Sequence, residues 1–72
     1  MENKLIIKIK EKVNIEVIEI LEFEEIIDKD YSILKIKSIC LFNNSYVLLE
    51  AKAKYYYNNK EVELLSINVS YE

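Results

Sequence analysis

The sequence predicts a mainly β fold: an antiparallel meander of about five strands, curled or barrel-like, in one small domain over residues 1–72. Three observations predict it. Residues 31–42, 46–57 and 61–72 are runs of similar length in which side chains alternate between apolar and polar. Asparagine pairs separate them, in NNS at 43–45 and NNK at 58–60. Pairing the runs across those turns sets apolar residues opposite apolar residues on one face, and a slip of one residue would invert the arrangement. The alternative is α+β, a β-α-β-β-β order with one helix at about 14–27 packed on the sheet.

In chain order, KLIIKIK at 4–10 reads as a strand with Leu5, Ile7 and Ile9 inward. Residues 14–27 fit two patterns. As a helix capped by Asn14, Val17, Ile18, Ile20 and Leu21 would oppose Glu16, Glu19 and Glu22, but Phe23, Ile26 and Ile27 drift off that face. As a strand, the alternation changes phase near Ile18 and again near Leu21, which calls for bulges. Cross-strand chemistry favours the strand. A tight turn at Lys29-Asp30 pairs Ile26 with Ile33, Glu24 with Lys35, Phe23 with Ile36 and Glu22 with Lys37. Acids then relieve Lys35 and Lys52, which otherwise face each other as like charges.

Asn tolerates positive φ, so both Asn pairs can turn a hairpin without glycine. A two-residue loop at Asn43-Asn44 pairs Phe42 with Ser45, Cys40 with Val47, Ile36 with Ala51 and Leu34 with Ala53. A three-residue loop at 58–60 pairs Ala53 with Leu65, Ala51 with Ile67 and Leu49 with Val69. Ala51 and Ala53 also point the other way, because small residues in mid-sheet leave room for a crossing helix.

Composition narrows the function. A chain of 72 residues buries only about 60% of its unfolded surface, so it needs a further source of stability. Cys40 is alone and histidine is absent, so neither a disulfide nor a metal is expected, and self-association remains. Gly and Pro are both absent, which excludes glycine-rich phosphate loops and nucleophile elbows. No catalytic residues and no cofactor are expected. A single thiol and no secretory leader pattern point to the cytoplasm. Net charge is −3, unevenly spread: residues 1–30 hold five Lys against nine acids, whereas residues 31–72 hold five Lys against four.

Three surfaces are candidates for binding. Ile18, Ile20, Ile39, Leu41, Tyr46 and Leu48 gather at one end of the outer face, where a monomer has little to cover them. Tyr56 points to the same face, while Tyr55 and Tyr57 close the end of the core with their hydroxyls in water. Glu16, Glu19, Glu22, Glu24 and Glu25 form an acidic surface that a basic partner could meet, although charge runs are usually solvated faces. Lys35, Lys37, Lys52 and Lys54 with Tyr31 resemble a sheet that holds single-stranded nucleic acid or another anion, but every basic residue is Lys and nearby glutamates neutralise the face.

The expected function is therefore a small, non-enzymatic protein-interaction module, with a homodimer favoured. Residues 64–71 of the final run, a flat edge without Lys or Pro, suit strand addition. The composition fits an inhibitor or accessory protein encoded by a phage or mobile element. Nucleic-acid binding through the Lys/Tyr face is the alternative.

Overall fold

The computed structural model describes residues 1–71. One helix, α1 (Glu2–Lys12), precedes four strands: β1 (Glu16–Ile27), β2 (Tyr31–Phe42), β3 (Ser45–Tyr56) and β4 (Glu61–Tyr71). The strands form one open antiparallel sheet in the order β1-β2-β3-β4. The mainly β class is as expected; the sheet has four strands and does not close into a barrel. Glu72, the end of the predicted last run, lies outside the described residues.

The predicted strand at 4–10 is the helix. Leu5, Ile7 and Ile9 alternate, but Leu5, Ile6, Ile9 and Val13 also follow helical spacing. The sheet decides between the two patterns. A four-stranded open sheet leaves one apolar face bare, and an amphipathic helix buries it. Leu5 and Ile9 are fully buried in the cluster that holds Leu34, Leu49, Ala51 and Ala53. Ile7, expected inward, is 58% exposed. Glu2 in the first turn and Lys10 and Lys12 in the last complement the helix dipole. The small alanines thus do admit a helix over the sheet, drawn from a different segment than 14–27.

The pairing of β1 with β2 is as expected at all four positions, Ile26 with Ile33, Glu24 with Lys35, Phe23 with Ile36 and Glu22 with Lys37. Register shifts fall between Val17 and Glu19 and between Ile20 and Glu22, where the alternation changes phase. These bulges space Val17, Ile20 and Phe23 three residues apart on the core face. A spacing of three lies close to the helical period, which is why the segment fits a helix on paper.

The pairing of β2 with β3 also follows the expected register, from Phe42 with Ser45 to Leu34 with Ala53. Asn43 and Asn44 both take positive φ, 51° and 63°, as a two-residue hairpin loop requires. The next hairpin differs. Its loop has four residues, because Tyr56 pairs with Glu61, and Lys60 rather than an asparagine takes positive φ, at 58°. Asn59 contributes through its side chain, whose Oδ1 accepts the Glu61 N–H at 3.0 Å. Ala53 consequently pairs with Leu64, not Leu65. A bulge between Ser66 and Leu64 then restores the expected pairs Ala51 with Ile67 and Leu49 with Val69.

Helix α1 starts beside the β3–β4 loop, where Lys4 Nζ donates to the Lys60 carbonyl at 3.0 Å. The chain then enters β1 at Glu16, on the other edge and at the other end of the sheet. An eleven-residue helix is about 16 Å long, whereas twelve-residue strands run to about 40 Å. The covering segment therefore crosses the core face from corner to corner and leaves the other two corners bare. Ile27 occupies one of them, 76% exposed, and Tyr71 the other, 67% exposed.

Candidate interaction surfaces

The face opposite α1 carries no covering element. Its side chains follow from strand alternation: Tyr31, Ile33, Lys35, Lys37, Ile39 and Leu41 on β2 stand opposite Tyr56, Lys54, Lys52, Glu50, Leu48 and Tyr46 on β3. At one end, Leu41 opposes Tyr46 and Ile39 opposes Leu48. Tyr46 is 61% exposed, while Ile39, Leu41 and Leu48 are half-buried by their neighbours. Two members of the expected patch sit elsewhere. Ile20 turns to the core face, opposite the buried Ser38, because the bulge at Ile18 resets the alternation. Ile18 itself is the unpaired, exposed bulge residue.

The middle of this face is a hollow of about 360 Å³ across all four strands. Glu22, Glu24 and Glu50 line it together with Lys35, Lys37 and Lys52, so its formal charges cancel. Lys37 Nζ lies 3.9 Å from Glu22 Oε2. Lys35 has Glu24 on one side and Lys52 on the other. Lys54 is occupied differently: its Nζ sits 4.7 Å from the centre of the Tyr31 ring, and its cross-strand partner is Glu63.

Two of the three tyrosines of the face, Tyr31 and Tyr56, are tied to carboxylates. The charge of Asp28 holds the Tyr31 phenol above its ordinary value, and a hydrogen bond to the same carboxylate adds to the effect. The Tyr56 hydroxyl donates to Glu63 Oε1 at 3.0 Å, and this bond raises its pKa in turn.

Tyr55 and Tyr57 close the end of the core as expected, with one correction. Tyr55 packs against the core edge-on to Tyr57, ring centres 6.0 Å apart. The Tyr57 hydroxyl does not end in water but meets Ser32 Oγ at 2.6 Å. Ser32 gives its one proton to Glu25 Oε2 at 2.9 Å, so Tyr57 is the donor in its own bond. Ser32 is fully buried, and this chain satisfies it. Glu25 is thereby separated from the rest of the predicted acidic surface, since its partner Leu34 belongs to the core face. Glu16 and Glu19 flank the apolar end, opposite Leu41 and Ile39.

Residues expected in the core but found at the surface are the main omission of the sequence reading. Val69 and Tyr71 stand on the core face of β4, opposite the buried Leu49 and Val47, yet both are exposed because α1 does not reach their corner. Leu65 is exposed in the β4 bulge. The Leu64-Leu65 doublet, where the alternation changes phase, was the available signal.

Among the described residues no cluster of His, Cys, Asp and Glu could hold a metal ion, and no helix is long and apolar enough to cross a membrane. Cys40 is a buried, free thiol whose Sγ lies 3.3 Å from Ser38 Oγ. Comparison with protein-family models, curated proteins and solved structures found no match to this chain.

Proposed function

We propose that the protein is a non-enzymatic interaction module that binds another protein through its sheet surface. The observation that carries this reading is the apolar end of the uncovered face, Ile39, Leu41, Tyr46 and Leu48. Apolar groups left partly exposed together on an uncovered face favour association, because burying the rest removes apolar surface from water. Glu16 and Glu19 beside the patch suit a partner with basic residues at the rim of the contact.

The cancelled charges of the central hollow also favour a protein partner over a polyanion, since nucleic-acid binding draws its affinity from uncompensated cations. A role as an inhibitor or accessory protein of a phage or mobile element is the specific form of this proposal, and it rests on size and composition.

The test is capture of partners on the immobilised protein, with and without nuclease, compared with the double variant Leu41→Lys/Tyr46→Lys. The proposal expects a nuclease-resistant partner that the variant loses. Capture that nuclease abolishes, and that Lys35→Glu/Lys52→Glu removes while the apolar variant retains it, would replace the proposal with the nucleic-acid reading.

A further inference from the structure

The two free edges of the sheet are unlike. The outer edge of β1 carries two bulges and five glutamates, both devices that discourage strand pairing. The outer edge of β4 has a single bulge, and residues 64–71 (LLSINVSY) contain no charge and no proline. An edge strand presents unpaired N–H and C=O groups along its length. The same strand carries exposed apolar groups at Leu65, Val69 and Tyr71. Val69 and Tyr71 occupy the corner that α1 leaves bare. Leu65, in mid-strand, is exposed as well, and Ile7 of α1 is exposed near Val62 at the start of β4.

We propose that β4 pairs antiparallel with β4 of a second copy of this chain, giving a continuous eight-stranded sheet; this deepens the interaction-module reading and rests on it. Antiparallel self-pairing about a two-fold axis normal to the sheet is closed, so it makes a dimer and no larger array. The axis keeps the core faces of both copies, and both helices, on the same side. It must run midway between a residue and the same residue of the second copy, because opposed residues have to share a face.

Centred on Asn68, the pairing sets Ile67 opposite Val69 of the second copy and Ser66 opposite Ser70. Tyr71 then stands opposite Leu65 of the second copy, so exposed apolar residues meet along the seam. Each copy thus covers the Val69 and Tyr71 corner of the other. No like charges meet anywhere along residues 64–71. Pairing β1 with itself would instead bring glutamates against glutamates.

Sedimentation equilibrium tests the inference on the whole chain. The expected wild-type mass is twice the 8.6 kDa of one chain. Asn68→Lys should keep the fold, because Asn68 is exposed and faces Glu50 within its own sheet. Across the two-fold it sets Lys against Lys. Combined with Val69→Lys, which also removes an apolar contact, it should weaken the dimer about tenfold or more. Leu21→Lys, an exposed bulge position on the β1 edge, should leave the dimer unchanged.

A wild-type monomer at high concentration overturns the inference. So does a dimer that the β4 variants leave intact but Tyr46→Lys dissolves, or a mass that keeps growing past the dimer. If the protein is monomeric yet still captures a partner through Leu41 and Tyr46, the interaction-module reading stands and only the edge pairing falls. If it is dimeric and captures nothing, the edge pairing stands alone.

Discussion

Lys35 and Lys52 face each other across β2 and β3; on their far sides Lys35 meets Glu24, whereas Lys52 meets Ser66. Opposed like charges destabilise a sheet, and opposite charges in the same place contribute roughly 0.2–1 kcal/mol. Lys52→Glu should therefore raise the denaturation midpoint, by an amount near the lower end of that range because both side chains are exposed to solvent. Lys35→Glu should not, since it sets a new glutamate beside Glu24. Parallel chemical denaturation of the two variants checks the asymmetry.

Leu5 and Ile9 are the two fully buried side chains of α1, and they hold the helix on the sheet. Replacing either by Ala should cost about 2–5 kcal/mol, the usual result of truncating a buried aliphatic group. Small domains have little more than about 5 kcal/mol in total, so the double variant should be unfolded at room temperature. Ile7→Ala, at an exposed position of the same helix, should cost far less. Circular dichroism with thermal melts reads all three.

Lys60 takes positive φ, where a β-carbon costs a residue about 1–2 kcal/mol relative to glycine. Lys60→Gly should stabilise the protein by up to about 1 kcal/mol, the remainder being offset by the greater freedom of the unfolded chain. Asn59→Gly should not, because it removes the side-chain acceptor of the Glu61 N–H without relieving a left-handed residue. Equal effects at the two positions would contradict the four-residue loop.

Tyr31 and Tyr56 should ionise above the ordinary phenol value of 10.0, Tyr31 through the charge of Asp28 and Tyr56 through its hydrogen bond to Glu63. The folded state holds these protons more tightly than the unfolded chain does. The stability this contributes is complete below the unfolded pKa and is lost as pH rises through the folded values. Tyrosinate absorbance should show two late-titrating phenols. Asp28→Asn should bring one of them down, and Glu63→Gln the other.

Much of the sheet was legible because its pairs check one another. A strand over 14–27 was favoured by the fit of Glu22 and Glu24 to Lys37 and Lys35, and its bulges were visible as phase changes at Ile18 and Leu21. Alternation counted from Ile18 points Ile20 outward, but the bulge at Ile18 turns it to the core face. In β4 the bulge at Leu65 is hidden in the sequence because Ile67 and Val69 pair correctly without it; only the choice between Leu64 and Leu65 reveals it. The helix was hidden for a different reason. KLIIKIK satisfies both periods, and what selects the helix is the bare core face that the other strands create, a tertiary demand no local window contains. The exposed corner at Val69 and Tyr71 follows from that helix and was illegible without it.

The most direct measurement is backbone amide exchange in β4 as a function of protein concentration. The account predicts that amides within residues 65–71 that face away from β3 become protected as concentration rises, and lose that protection in Asn68→Lys/Val69→Lys while the β2 and β3 amides keep theirs. Outward amides of β4 that exchange freely at every concentration would contradict it.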